Sequence, residues 1–184
     1  MTTQAEAIAA LRVGDVSALA VLVRLHQLKA LRTAYGIVGE RAAAEDIVSD
    51  AFLRVFEGIH GFRAGRPFEP WFYRIVVNRS IDYRRTAERS SSTAEPLAVA
   101  EGSLDLDDRE LHIVLAEQIA ALPVAERAAL VLRYYLDLDE ASMAVVLSCP
   151  VGTVKSRLHR ARQRLRVSLT DSEREWAATA ARGG

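Results

Sequence analysis

Residues 149–166 read CPVGTVKSRLHRARQRLR, and this stretch decides how the chain is read. Val154, Leu158, Ala161 and Leu165 recur at i, i+4, i+7 and i+11, one stripe of an α-helix. At about 100° per residue, Gly152, Thr153, Ser156, His159, Arg160 and Gln163 point away from that stripe. Lys155, Arg157, Arg162, Arg164 and Arg166 fall on its flanks or further along. Just upstream, Met143, Ala144 and Leu147 mark a shorter helix that Asp139 can N-cap. Ser148-Cys149-Pro150 separates the two, because a residue before proline is pushed out of the α region. Pro150 then suits the first turn of the second helix. A helix, a short turn and a second helix with small, hydrogen-bonding residues at its N-terminal end are what insertion into a DNA major groove requires. The cations alongside would meet phosphates. If all six cations of this helix pair with phosphates, affinity falls ~10³-fold between 50 and 200 mM salt. A solvated face, or a basic helix lying on a membrane surface, are the alternatives; the narrow apolar stripe and the preceding helix favour DNA.

The charge distribution singles out the same place. The 184 residues carry 24 Lys+Arg and 24 Asp+Glu, a formal net charge of zero. Residues 1–95 sum to +2, residues 96–124 to −5 and residues 125–184 to +3. Within the last part, 150–170 holds six cations and no acid, which suggests a polyanionic partner. Half the residues are apolar and 26% are charged, a globular composition. The single cysteine, Cys149, excludes an intramolecular disulfide framework. No Cys/His cluster has zinc-ligand spacing, and no cofactor is expected. No apolar run approaches 18 residues and the N-terminus lacks a signal-peptide pattern, so the expectation is a cytoplasmic protein without membrane insertion.

Upstream, the chain reads as helices. Val48, Phe52, Val55, Phe56 and Ile59 form one stripe over 42–60, and Phe68, Trp71, Phe72, Ile75 and Val76 another over 68–85. Pro67 and Pro70 stand at the entrance of the latter, where a first turn tolerates them. Leu111, Val114, Leu115, Ile119 and Leu122 mark a helix over 108–122, Pro123 breaks it, and another runs over roughly 124–136. A helix or helix pair covers about 4–36, with Leu19, Leu22 and Val23 apolar. Between 85 and 109, RTAERSSSTAEPLAVAEGSLDLDDR shows no periodicity and reads as a flexible acidic, Ser-rich linker. The expected fold is all-α: a helical domain over 1–86, a linker over 87–108, a helix-turn-helix domain over 109–170 and a short tail over 171–184.

Two stretches together resemble the small extracytoplasmic-function group of bacterial sigma factors, over roughly residues 15–170. CPVGTVKSRLHRARQRLR, preceded by LPVAERAALVLRYYLDL (122–138), is similar to the family's region 4, which reads the −35 promoter element. AEDIVSDAFLRVFEGIHGFR (44–63), followed by FEPWFYRIVVNRSIDYRR (68–85), is similar to region 2, which binds core RNA polymerase and opens the −10 element.

The resemblance implies roles by position. Asp46 and Asp50, with Ile47, Ser49 and Phe56, match the segment that docks the coiled coil of the largest polymerase subunit; two carboxylates four apart share a helix face. Trp71 and Phe72 match the aromatic pair of the melting region, where stacking on unpaired bases contributes ~1–3 kcal/mol each. Their alternative is ordinary core. Asn78, Arg79, Asp82, Arg84 and Arg85 lie where the family reads the −10 element; Asp82 fits equally as an intrahelical partner. Gly152, Thr153, Lys155, Ser156, Arg157, His159, Arg160, Gln163 and Arg164 match the −35 reader. Core polymerase (coiled coil and flap), promoter DNA and an anti-sigma factor are the implied partners.

Four positions depart from the family pattern. Ser49 stands for the usual Gln, Ala141-Ser142 for a Glu-Glu pair, and Ser148 for the turn Gly, which costs energy if that position needs positive φ. A free-standing helix-turn-helix regulator is the competing function, but it leaves Asp46, Asp50 and the Trp71-Phe72 stretch idle. An enzyme has little support: there is no phosphate-binding glycine loop or nucleophile elbow, and His26, His60, His112 and His159 lack ligand spacing. His26 and His112 read as packing residues, and Trp176 as a frayed-end aromatic.

Overall fold

The computed structural model describes residues 3–62, 65–89 and 115–180, with side chains up to 170. These residues are all-α, with no strand among them. The expected linker from 90 onward, Leu111, His112 and Val114, and the side chain of Trp176 lie outside the described residues.

The first module has four helices. Helix α1 (Gln4–Arg12) opens with a capping box in which the Thr3 hydroxyl accepts from the Glu6 N–H and Glu6 accepts from the Thr3 N–H. A 3-10 turn (Val16–Ala18) leads into α2 (Leu19–Val38), which ends at Gly39 with φ +78°, a left-handed C-cap that favours glycine. Helices α3 (Arg41–Gly58) and α4 (Phe68–Arg89) pack on α2 and on each other. Their apolar stripes meet in an aromatic core: Phe68 and Phe72 are stacked 5.6 Å apart, with Phe52 4.9 Å from Phe72. His26 is buried against both phenyl rings, and its Nε2 hydrogen-bonds Gln4 at 2.7 Å, the packing role expected for it. Helix α4 continues to Arg89, three residues past the expected end of the domain at 86.

In the second module, residues 115–120 are helical and Pro123 stands at the entrance of α5 (Val124–Leu130). The helix expected over 124–136 changes character at Val131. Val131–Tyr135 form a π-helical turn, with the Leu136 N–H bonding the Val131 carbonyl at 3.1 Å. Helix α6 (Glu140–Val146) is capped by Asp139, whose carboxylate accepts from the Ser142 N–H at 2.7 Å. Ser148 has φ +50°, so the turn does demand the left-handed conformation that glycine usually supplies. Helix α7 spans Val151–Ala180; Pro150 is its cap, its carbonyl accepting from Thr153 and Val154, and the helical backbone runs through most of the expected tail.

The two modules pack together. Helix α5 lies on α2 and α4, and α6 on α4. A Cβ at Gly36 would sit 3.1 Å from a Val131 methyl, so close approach of the two modules relies on glycine there. Arg127, 2% exposed, crosses the junction: Nη1 donates to the Ile37 carbonyl at the C-terminal end of α2 at 2.8 Å, and Nη2 to Leu122 at 3.1 Å and to Ala120. Helix C-termini leave carbonyls without intrahelical partners, so a guanidinium satisfies them and complements the helix dipole. Burial, together with the nearby charge of Arg84, lowers the Arg127 pKa to about 10.

Candidate functional site

Three groups of residues were expected to act; the structure keeps the −35 group on one helix and brings part of the −10 group into the same cleft as the core-binding group. On the outer face of α7, Gly152, Lys155, His159, Arg160, Gln163 and Arg164 are exposed, while Val154, Leu158 and Ala161 are buried against α5 and α6. Thr153, Ser156 and Arg157 are half-buried. The Ser156 hydroxyl donates to the Thr153 carbonyl at 2.9 Å, and Arg157 Nη1 lies 3.7 Å from Cys149 Sγ. Lys155 reaches Glu140 at 3.5 Å and so ties the second helix of the motif to the start of the first. Arg160 and Arg164 lean on Glu126 of α5, at 3.3 and 3.1 Å.

The second group lines a cleft of about 470 Å³ between α3 and α4, where Asp46, Ile47, Asp50, Arg79, Asp82 and Tyr83 converge. Asp50 is not a free carboxylate: its Oδ2 is 2.7 Å from Arg79 Nε and 3.1 Å from Arg54 Nε. Desolvation pushes its pKa up, but the hydrogen bonds and charges of Arg54 and Arg79 outweigh this and hold it below the ordinary value. Arg79, expected at the −10 element, thus belongs to the same electrostatic unit as Asp50. Asp46 stays exposed, Phe56 is partly exposed and Ile47 is buried. Ser49 turns its hydroxyl back to the Glu45 carbonyl at 2.9 Å. The Tyr83 hydroxyl donates to Glu40 at 2.6 Å, which raises its pKa along with burial.

The third group corrects part of the expectation. Phe72 is 0% exposed, enclosed by Phe52, Phe68 and Tyr73, so its ring is core and offers no face to a base. Trp71 is half-buried, packed on Phe62 at 5.1 Å, and lines a cleft of about 730 Å³ with Arg66 and Arg74 on one side and Ala141, Ser142 and Val145 of α6 on the other. Arg84 is also less available than expected. Its side chain is 12% exposed and reaches Glu88 at 3.7 Å, because α4 presents it towards the junction, close enough for its charge to lower the pKa of Arg127. Asn78 is half-buried, and Asp82 and Arg85 are exposed.

Glu126 and Arg127 were not singled out from the sequence. The signal was present: they are two charges inside VAERAAL, an otherwise apolar helix. Charges seldom sit within such a run unless they are paired.

A helix-turn-helix with an exposed basic face, joined to a helical bundle that carries a carboxylate-lined cleft, defines a two-module DNA-binding protein. Residues 22–90 match the family described as Sigma-70 region 2, and residues 112–165 match Sigma-70, region 4. The chain is 35% identical over 172 residues to the ECF RNA polymerase sigma factor SigW of Bacillus subtilis, covering 86% of this chain and 92% of SigW. It is 32% identical over 176 residues to the RNA polymerase sigma-H factor of Pseudomonas aeruginosa, covering 88% and 91%. Among solved structures, it is similar to CnrH in complex with the cytosolic domain of CnrY, with TM-score 0.69 and 23% identity over 91% of this chain and 97% of that one. It is also similar to the sigma factor RpoE in complex with the anti-sigma factor NepR from Bartonella quintana, with TM-score 0.67 and 24% identity, covering 84% and 98%. The chain belongs to the sigma-70 family, in its extracytoplasmic-function group, and acts in promoter-directed transcription initiation with RNA polymerase. Among the described residues, no helix is long and apolar enough to cross a membrane.

Proposed function

We propose that the α3–α4 cleft docks the coiled coil of the largest polymerase subunit, that Trp71 with Arg85 engages the −10 element, and that the outer face of α7 reads the −35 element while its module meets the flap. The observation that carries this reading is the presence of two distinct polar faces on one chain. One is basic, exposed and helical, as DNA requires; the other is carboxylate-lined and separate from it. A free-standing regulator has no use for the second. Arg79 and Arg54 keep Asp50 ionised and oriented, and Asp46 beside it remains open to a basic partner.

The packed arrangement is a resting state in this reading. The names −10 and −35 place the two elements about 25 base pairs apart, roughly 85 Å of B-DNA at ~3.4 Å per pair. A packed chain of this length has a radius of gyration of only about 16 Å. Opening on polymerase therefore uncovers Trp71, which now faces α6 across the cleft. An anti-sigma factor would act by holding the packed form; RpoE, of similar fold, is described in complex with the anti-sigma factor NepR, and CnrH in complex with the cytosolic domain of CnrY. The site of action is the cytoplasm, with the polymerase.

The docking reading is tested by reversing Asp46 and Asp50 to Lys and measuring co-elution with core polymerase. Binding should be lost while the far-ultraviolet circular dichroism stays helical. Retained binding moves the docking surface elsewhere.

A further inference from the structure

Glu126, on α5, is a buried carboxylate that faces the recognition helix. Its side chain is 7% exposed, yet it pairs with two arginines that are 55% and 58% exposed. Arg160 donates through Nε to Oε1 at 3.3 Å, and Arg164 places its Nε 3.1 Å from Oε2. The second contact attracts by charge without an aligned hydrogen bond. In both cases the guanidinium is held by Nε, the nitrogen nearest the stem. The two terminal nitrogens, the ones that can bond a guanine edge or a phosphate in a forked pair, donate no hydrogen bond among the described residues.

A buried carboxylate is costly unless it is paired, and removing its partners leaves an uncompensated charge. A helix that only had to pack under α7 would do better with an apolar residue there. Arginine also has many rotamers, so fixing it in advance removes an ordering cost that would otherwise fall on DNA binding. Resting on the reading of α7 as the −35 reader, we propose that Glu126 is a positioning residue that pre-sets Arg160 and Arg164 for base recognition. These residues are four apart on one helix, about 5–6 Å between Cβ atoms, so the affected bases should fall within about two base-pair steps of each other.

The test uses the full chain assembled with core polymerase. Holoenzymes carrying wild type, R160A, R164A, E126A, E126Q or E126A/R160A select from duplexes randomised over the upstream element, and sequencing gives base discrimination at each position. R160A and R164A should lose about tenfold at one or two neighbouring positions. E126A should lose a similar factor at those same positions, and E126A/R160A should be no worse than R160A at the Arg160 position. E126Q, which keeps an acceptor but not the charge, should recover part of the loss and fold as wild type does. If Glu126 merely fastens α5 to α7, E126A lowers the melting temperature but keeps full discrimination, and the proposal fails while the −35 reading stands. If R160A and R164A leave discrimination unchanged, the −35 reading of this face fails, and the positioning role with it.

Discussion

Replacing Arg127 with methionine removes a buried guanidinium while keeping an unbranched side chain in its place. Arg127 donates to three carbonyls: Ile37 of the first module, and Leu122 and Ala120 of the second. Hydrogen bonds from a charged donor contribute ~1.5–3 kcal/mol each, a gross of about 5–9 kcal/mol. Against this stands desolvation of the cation. The fall in pKa from 12.5 to about 10 corresponds to about 3 kcal/mol. The Nε N–H is buried without a partner, which costs a further ~1–3 kcal/mol. Taking the middle of each range, the remainder is a net stabilisation of about 2 kcal/mol, and one of the three bonds is the one that joins the modules. Urea denaturation followed by circular dichroism should show Arg127→Met less stable by that amount, and small-angle scattering should show a larger radius of gyration. A change under 0.5 kcal/mol with unchanged dimensions would refute the reasoning.

Five further substitutions have expected outcomes. Phe72→Ala should cost about 3–5 kcal/mol of stability, as for other buried aromatics, whereas Trp71→Ala should fold normally and lose promoter opening, with activity restored on a pre-melted template; failure of that restoration would count against a melting role. Ser148→Gly should stabilise the chain by up to about 1 kcal/mol, since φ +50° at Ser148 is strained for a side chain and glycine relieves it; a melting temperature lower than wild type would contradict this. Burial lowers the pKa of His26 below 6.5, the charge of Glu69 opposing and that of Lys29 assisting. The unfolded chain then binds the proton more readily, so stability is complete above about pH 6.5 and falls with pH through the lowered value; His26→Gln should flatten the dependence of melting temperature on pH between 7 and 5. Arg160→Ala should weaken binding to the upstream element by about 1–3 kcal/mol if it reads a guanine, measured as holoenzyme affinity for the wild-type and mutated element.

Much of this was legible in the sequence because the helices are amphipathic and their punctuation is explicit. Val154, Leu158 and Ala161 are buried where the period puts them, Asp139 caps α6, and the φ of Ser148 is positive, as a missing turn glycine suggests. What escaped is what depends on packing between elements distant in the chain. Periodicity places Trp71 and Phe72 side by side, but only the convergence of Phe52 and Phe68 decides that Phe72 is enclosed while Trp71 faces a cleft. The ion pair of Asp50 with Arg79 joins helices 29 positions apart, so no local spacing announces it. The packing of the modules depends on Gly36 approaching Val131 and on Arg127 reaching Ile37, 90 residues away. The change to a π-helical turn at Val131 left no periodic mark, since its residues VLRYY suit either helix.

The central claim, that this chain gives core polymerase a promoter, is tested most directly by run-off transcription on genomic fragments from its own organism. Core RNA polymerase with the protein should yield discrete transcripts that are absent with core alone. Their start sites should lie downstream of paired elements, and the transcripts should disappear with Asp46→Lys/Asp50→Lys. Identical products with and without the protein, together with tight DNA binding by the protein alone, would contradict it and favour a free-standing regulator.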